Sequence, residues 1–276
     1  DTLKIPTIQS PSQEGMEEVV PDGTPSPKNT NDVNISLGEA SGVPVEWMPG
    51  VKGSPHLFIL GIPGQGKSWT TTRLLTELGQ QHVPSLVLDF HGQFADPDGP
   101  FVQKVHPHVL DASQGLPFSP FEYTKDNGPD SWMANATTVS EIFAYVAGLG
   151  DMQRDVLYTA IRDAYRALEF EDSDTHATVA YPTLKDVMRR IEQNEQARHV
   201  GNVIARTRPL LEMDLFRPTK NAADFLSLVR DGMVIDLHNL YSEMLQVAAG
   251  AFVLRKIYRD MFRWGTADRL RLAIVL

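Results

Sequence analysis

Eight residues limit this chain more than any others. Gly61-Ile62-Pro63-Gly64-Gln65-Gly66-Lys67-Ser68 fit the pattern G-x-x-x-x-G-K-[ST]. Glycines let the backbone take conformations closed to other residues and come close to an anion. Successive N–H groups can then converge into an anion nest. A helix starting at Ser68 aims its positive end at the same point. Lys67 can reach the β- and γ-phosphates of ATP, and the Ser68 hydroxyl can ligate Mg²⁺. Four constrained positions match by accident in about one chain per hundred of this length. Here the pattern also stands between an apolar run and a helical stretch, where its mechanism needs it. The predicted phosphate contacts are therefore Gly61, Ile62, Pro63, Gly64, Gln65, Gly66, Lys67 and Ser68. Trp69 is expected in the core, at an interface or near the base.

The flanking pattern predicts an α/β fold. His56 to Leu60 is a short apolar run ending at Gly61, which reads as a buried strand. Ser68 to Leu78 reads as a helix, with Gly79 as its stop. Ser85 to Leu88 is a second strand ending at Asp89. Strand, helix and strand at this spacing form a βαβ unit, so the sheet is at least partly parallel. From Ser131 to about Leu228 the periodicity is helical, with Val139, Phe143 and Val146 in one stretch and Val156, Ile161, Tyr165 and Leu168 in the next. Pro182-Thr183-Leu184 reads as a helix start. A strand returns at Met233 to Leu237 after the turn pair Asp231-Gly232. A helix from about Ser242 to Phe262 follows, with Val247, Ala251, Leu254, Tyr258 and Met261 on one face. Leu272 to Leu276 reads as a last strand.

Thr7 to about Gly42 is poor in large apolar residues, and Pro21 to Pro27 can hold neither helix nor sheet. The domain expectation is a linker over residues 1–42 and a P-loop domain over 43–276, with a helical subdomain at about 131–228. The absence of Met at position 1 and the uncapped apolar end read as a fragment of a longer protein. The chain has 276 residues and a formal net charge of -10. That balance argues against a module that wraps nucleic acid with its whole surface and leaves room for a local basic patch. There are no cysteines, which excludes disulfides and thiolate metal sites and fits a reducing compartment, the cytoplasm. No apolar run reaches spanning length, so no membrane role is expected.

A phosphate-loop enzyme also needs an acid at the end of an apolar strand. Asp89 and Asp236 compete for that place, and the run at Leu272 to Leu276 ends before any acid. Asp89 is predicted to organise the γ-phosphate side from a strand beside the loop. Asp236 reads as a strand-end turn residue. His106 and His108 lie two apart in a predicted strand, without the neighbours a metal site needs. Arg189, Arg190, Arg198, Arg206 and Arg208, and on the long helix Arg255, Lys256, Arg259 and Arg263, read as solvated faces, with a DNA or subunit contact as the alternative.

Taken together, several segments resemble the HerA/FtsK group of hexameric DNA-translocating ATPases, and within it the HerA-like helicases. Pro55 to Gly61 looks like the strand entering their phosphate loop. Leu86-Val87-Leu88-Asp89-Phe90-His91-Gly92-Gln93-Phe94 is similar to their D-x-x-G-E-[FY] segment, with Gln93 where the family often has Glu. Leu116-Pro117-Phe118-Ser119-Pro120-Phe121 is similar to their short proline-containing stretch. Val234 to Leu237 with its long helix, and then Leu272 to Leu276, fall where that family has the strands leading to Walker B. The resemblance covers roughly residues 43 to 276. It implies a RecA/FtsK-like additional-strand P-loop core and a homo-hexameric ring. It also implies Mg²⁺-dependent ATP hydrolysis coupled to movement on double-stranded DNA, with Walker B beyond Leu276. A nuclease or an anti-phage defence system is the partner context it implies. The residues alone leave two other functions open. One is a P-loop phosphotransferase with the helical block as lid. The other is a nucleotide-gated scaffold that orders a nuclease.

Overall fold

The computed structural model describes residues 33–50, 55–123, 132–170, 180–194, 202–218, 225–265 and 269–276. The predicted linker up to Asp32 lies outside them. From Ile35 the chain forms a hairpin, β1 (Ile35–Ala40) and β2 (Val43–Trp47), paired antiparallel with Ile35 opposite Trp47. The boundary expected after residue 42 thus falls inside this hairpin. The hairpin is tied to helix α1 (Lys67–Gln80) by polar contacts. Asn34 N–H donates to Gln81 Oε1 at 3.0 Å, and Arg73 donates to the Ser36 carbonyl at 2.8 Å.

The centre is a four-stranded parallel sheet in the order β4-β5-β3-β6. Its members are β3 (Ser85–Asp89), β4 (His108–Asp111), β5 (Met233–Asp236) and β6 (Ala273–Val275). Side chains alternate across the pleat. Leu86, Leu88, Met233 and Ile235 therefore enter one apolar cluster, and Val87 and Val234 enter the other. The second cluster is closed by Leu74, Leu75 and Leu78 of α1 and by Phe101 of α2 (Pro100–Val105). The first is closed by a long C-terminal helix and the helical block. All five residues of β3 are buried, as a strand covered on both faces must be. Each large apolar side chain so buried contributes roughly 1.5–3 kcal/mol.

Gly79 does not stop α1. The helix runs through it to Gln80, and a Cβ at Gly79 would come within 3.0 Å of Val105. Its smallness serves the contact of α1 with α2. His106 and His108 do not share a strand. His106 ends α2 in a left-handed conformation (φ 53°), and His108 opens β4, 3.9 Å from the Asp231 carboxylate.

Between β4 and β5 the described residues form helices: α3 (Trp132–Ala147), α4 (Asp151–Arg166), α5 (Leu184–Gln193), α6 (Val203–Glu212) and α7 (Phe225–Asp231). Val139, Phe143, Val156, Ile161 and Tyr165 are all buried, as their periodicity predicts. Leu168 lies past the end of α4 and is half-exposed. α5 starts at the expected place. The Thr183 hydroxyl accepts from Asp186 N–H, and the Asp186 carboxylate accepts from Thr183 N–H, a reciprocal cap. Thr183→Ala is expected to cost about 1 kcal/mol, measured by urea denaturation. Arg189 and Arg208 sit on the surface beside Asp186 and Glu212, and Arg198 lies outside the described residues.

The long helix, α8 (Glu243–Trp264), begins at Ser242, whose hydroxyl accepts from Leu245 N–H. Its buried face is Leu245, Ala248, Ala249, Phe252, Val253 and Ile257. This overturns the expected stripe. Val247, Tyr258 and Met261 are exposed, and Ala251 and Leu254 only partly covered. The basic residues are also reversed. Arg255, Lys256 and Arg259 are part-buried and bonded inward, to Asn135, Glu122 and the Glu122 carbonyl. α8 carries two apolar stripes; the one with Leu245, Ala248, Ala249 and Phe252 meets the protein, and Arg255, Lys256 and Arg259 reach inward beside it. The side chain of Arg263 lies outside the described set.

Candidate nucleotide-binding site

The phosphate loop runs from Gly61 to the first turn of α1. Gly64 and Gly66 both stand at φ 82°, a left-handed conformation that disfavours any residue with a Cβ. Nothing lies within 4 Å of where a Cβ would sit at either one. The glycines are therefore demanded by backbone conformation, and the space beside them is open. Gln65 N–H donates to the Ile62 carbonyl at 3.3 Å and closes the turn, and Thr70 N–H donates to the Gly66 carbonyl at 2.9 Å and opens the helix. No side chain caps α1, and its first turn carries no acid. Its leading N–H groups and the positive end of its dipole are left to whatever enters the loop. Lys67, half-buried, turns back so that Nζ donates to the Ile62 carbonyl at 3.1 Å.

These features fit a triphosphate with its magnesium ion. The uncapped helix start and the left-handed glycines would hold phosphate oxygens, and Lys67 would exchange one carbonyl oxygen for them. Ser68 is exposed at the second residue of the helix, so its hydroxyl is available to the metal. Trp69 is 69% exposed, so it is not part of the core, one of the places expected for it.

The segment entering the loop departs from expectation. No strand forms over residues 55–62. Phe58 is 83% and Leu60 76% exposed, and only Ile59 turns into the cluster under α1. A buried strand needs a ladder, and this run pairs with none of the described strands, while β3 is held on both sides by β5 and β6. Asp89 accordingly sits on a strand flanked by β5 and β6, not by a phosphate-loop strand.

Parallel strands end together at the sheet edge where ligands of open α/β folds bind. Here three of them end in aspartate: Asp111, Asp236 and Asp89 lie side by side in register. Asp89 is buried. Its Oδ1 accepts from His91 N–H at 3.2 Å, and its Oδ2 accepts from Phe94 N–H at 2.6 Å and Ala95 N–H at 2.9 Å. It thus ties down the loop that exposes His91 and Gln93. From β5, His238 rests on Gly92, within 3.3 Å of where a Cβ would be. Asp236 accepts from His238 N–H and the Asn239 amide. Burial, and then the Asp111 and Asp89 carboxylates, push its pKa up. Burial also pushes Asp111 up, but hydrogen bonds from Ser113, Gln114 and Asn239 outweigh it and hold that carboxyl low. The turn role expected for Asp236 agrees with these bonds. The alignment of all three acids was not foreseen, although the endings Val-Leu-Asp, Val-Ile-Asp and Leu-Val-Leu-Asp spell it in the sequence.

The proline-containing stretch Leu116 to Phe121 is structural. Leu116, Phe118 and Phe121 are almost wholly buried, Phe118 against Phe216 and Phe225, Phe121 against Tyr165.

Comparison with known proteins agrees with this geometry. No curated protein matches the chain. Among solved structures, VirB4 of Thermoanaerobacter pseudethanolicus is similar, with a TM-score of 0.54 and 20% sequence identity. The likeness covers 74% of this chain and 56% of that one, so the chain spans little more than half of that protein. At that identity the likeness establishes the fold, an α/β P-loop core with a mainly parallel sheet. Residues 40–257 match the family described as Helicase HerA, central domain. That match takes in the phosphate loop, the helical block and most of α8, and the chain belongs to this family, the HerA/FtsK type of P-loop ATPase.

Proposed function

We propose that the chain is the ATP-binding motor part of a ring-shaped DNA translocase of the HerA kind, working as a hexamer on double-stranded DNA. The observation that carries the proposal is the uncapped start of α1 behind two left-handed glycines, with Lys67 folded over it, in a chain of the HerA family. ATP with Mg²⁺, when bound, supplies the phosphoryl group whose transfer to water drives motion. The chain's own residues do the rest. The amides of Gly64 to Ser68 hold phosphate oxygens, Lys67 balances charge on the β- and γ-phosphates, and Ser68 offers its hydroxyl to the metal. Asp89 acts as a positioning residue, setting the loop from Phe90 to Ala95 on the γ-phosphate side. The proposed setting is the cytoplasm, with a nuclease, as in a defence system, as the partner class. Among the described residues no helix is long and apolar enough to cross a membrane.

The test is made on the full-length protein. Its mass in solution should be about six subunits, the ring size of the family resemblance, and duplex DNA should accelerate ATP hydrolysis. A monomer that phosphorylates a small molecule would replace the motor with a phosphotransferase. Tight ATP binding without turnover would replace it with a scaffold.

A further inference from the structure

The face that α8 turns to the helical block is mostly apolar. Phe252 meets Phe143 with ring centroids 5.1 Å apart, and Ala136, Val139, Val253 and Ile257 belong to the same cluster. One polar knot interrupts it. Asn135, fully buried, donates from Nδ2 to the Tyr165 hydroxyl at 2.6 Å. Its Oδ1 accepts from Arg255 at 2.5 Å and from Arg259 at 3.4 Å. The Tyr165 hydroxyl donates to the Phe121 carbonyl at 2.5 Å, and Arg259 donates to the Glu122 carbonyl at 2.6 Å. Lys256 donates to the Glu122 carboxylate at 3.1 Å. Helices α3, α4 and α8 and the segment at Phe121 and Glu122 all meet in this knot.

Holding the block in place does not require such a knot. Apolar side chains of the same volume would pack there without the desolvation of guanidinium, ammonium and amide groups. What the polar version adds is a demand on geometry. Both ends of one amide and a planar guanidinium fork must fit at once, so a small slide of α8 breaks several bonds together. Packed joints of this kind have discrete arrangements and do not deform smoothly. α8 begins at Glu243, just after β5 ends at Asp236 in the aspartate row. A rise of about 1.5 Å per residue puts Arg255 roughly 18 Å along the helix from that start. α8 is therefore a rod with one end at the ligand edge of the sheet and its middle in the knot.

We infer that Asn135, Arg255 and Arg259 form a coupling joint, through which the state of the nucleotide edge sets the position of the helical block. The inference rests on the nucleotide-binding reading above. It is tested on the full-length protein with Mg²⁺ and a non-hydrolysable ATP analogue, by measuring analogue affinity and amide hydrogen exchange together. In the wild type, the analogue should slow exchange in α3 and α4. In the double variant Asn135→Leu, Arg255→Met the protein should stay folded and still bind the analogue, its affinity shifted by no more than the lost coupling, while the response of α3 and α4 is lost. A joint that merely held the fold would leave that response intact, and this result overturns the inference. So does a wild type that binds the analogue with no change in α3 or α4. If the wild type fails to bind the analogue at all, the nucleotide-binding reading falls first and takes the joint with it. Should the double variant unfold, Arg255→Lys gives the same reading, because it keeps the charge and loses the planar fork.

Discussion

Lys67→Ala in the full-length protein is expected to lower ATP turnover by about a thousandfold or more, with the fold intact. Lys67 bonds to the Ile62 carbonyl of its own loop and makes no ion pair among the described residues, so its loss removes no core contact. A change of this kind shifts stability by less than about 0.5 kcal/mol. In the transition state the β- and γ-phosphate oxygens carry growing charge inside a pocket of backbone amides, and the ammonium is the mobile cation that answers it. The amides remain in the variant, so ATP binding should weaken less than turnover falls. Steady-state hydrolysis beside a nucleotide titration separates the two. Wild-type turnover in the variant removes Lys67 from the chemistry and the proposed site with it.

The phosphate loop was legible because its chemistry is local. Two glycines at φ 82°, a lysine and a serine lie within a few residues of one another. β3 and β5 were legible for a related reason, since Leu86 to Leu88 and Met233 to Ile235 are apolar on both pleat faces and fit only a doubly covered strand. The run at His56 to Leu60 has the same composition but no ladder among the described residues, although the outer edge of β6 has no partner strand there. Composition carries no trace of that. α8 failed differently. Its periodicity is correct for two faces, Leu245-Ala249-Phe252 and Val247-Leu254-Tyr258, and helical spacing cannot choose between them. The face that is buried also brings Arg255 and Arg259 to Asn135 and Glu122, partners more than a hundred residues earlier in the chain, which periodicity does not encode. Gly79 shows the same limit in miniature, since its role is set by Val105 on another helix.

The second large effect belongs to Asp89. Asp89→Ala is expected to destabilise the protein by about 2–4 kcal/mol, because a buried carboxylate accepting several backbone N–H groups is replaced by nothing. The donors are His91, Phe94 and Ala95, so the loss falls on one loop and leaves β3 in its ladder with β5 and β6. Asp89→Asn should cost less, since one amide oxygen still accepts while the NH₂ faces an N–H it cannot satisfy. The functional consequence follows the loop. If Asp89 positions the segment from Phe90 to Ala95 against the γ-phosphate, both variants should lose turnover in the order Ala below Asn, with ATP affinity nearly kept. Hydrolysis rates and urea denaturation on the same preparations test this. Destabilisation with normal turnover would make Asp89 a fold residue only. Turnover lost equally in both variants would instead place the charge itself in the chemistry, because alanine and asparagine share only the absence of that charge.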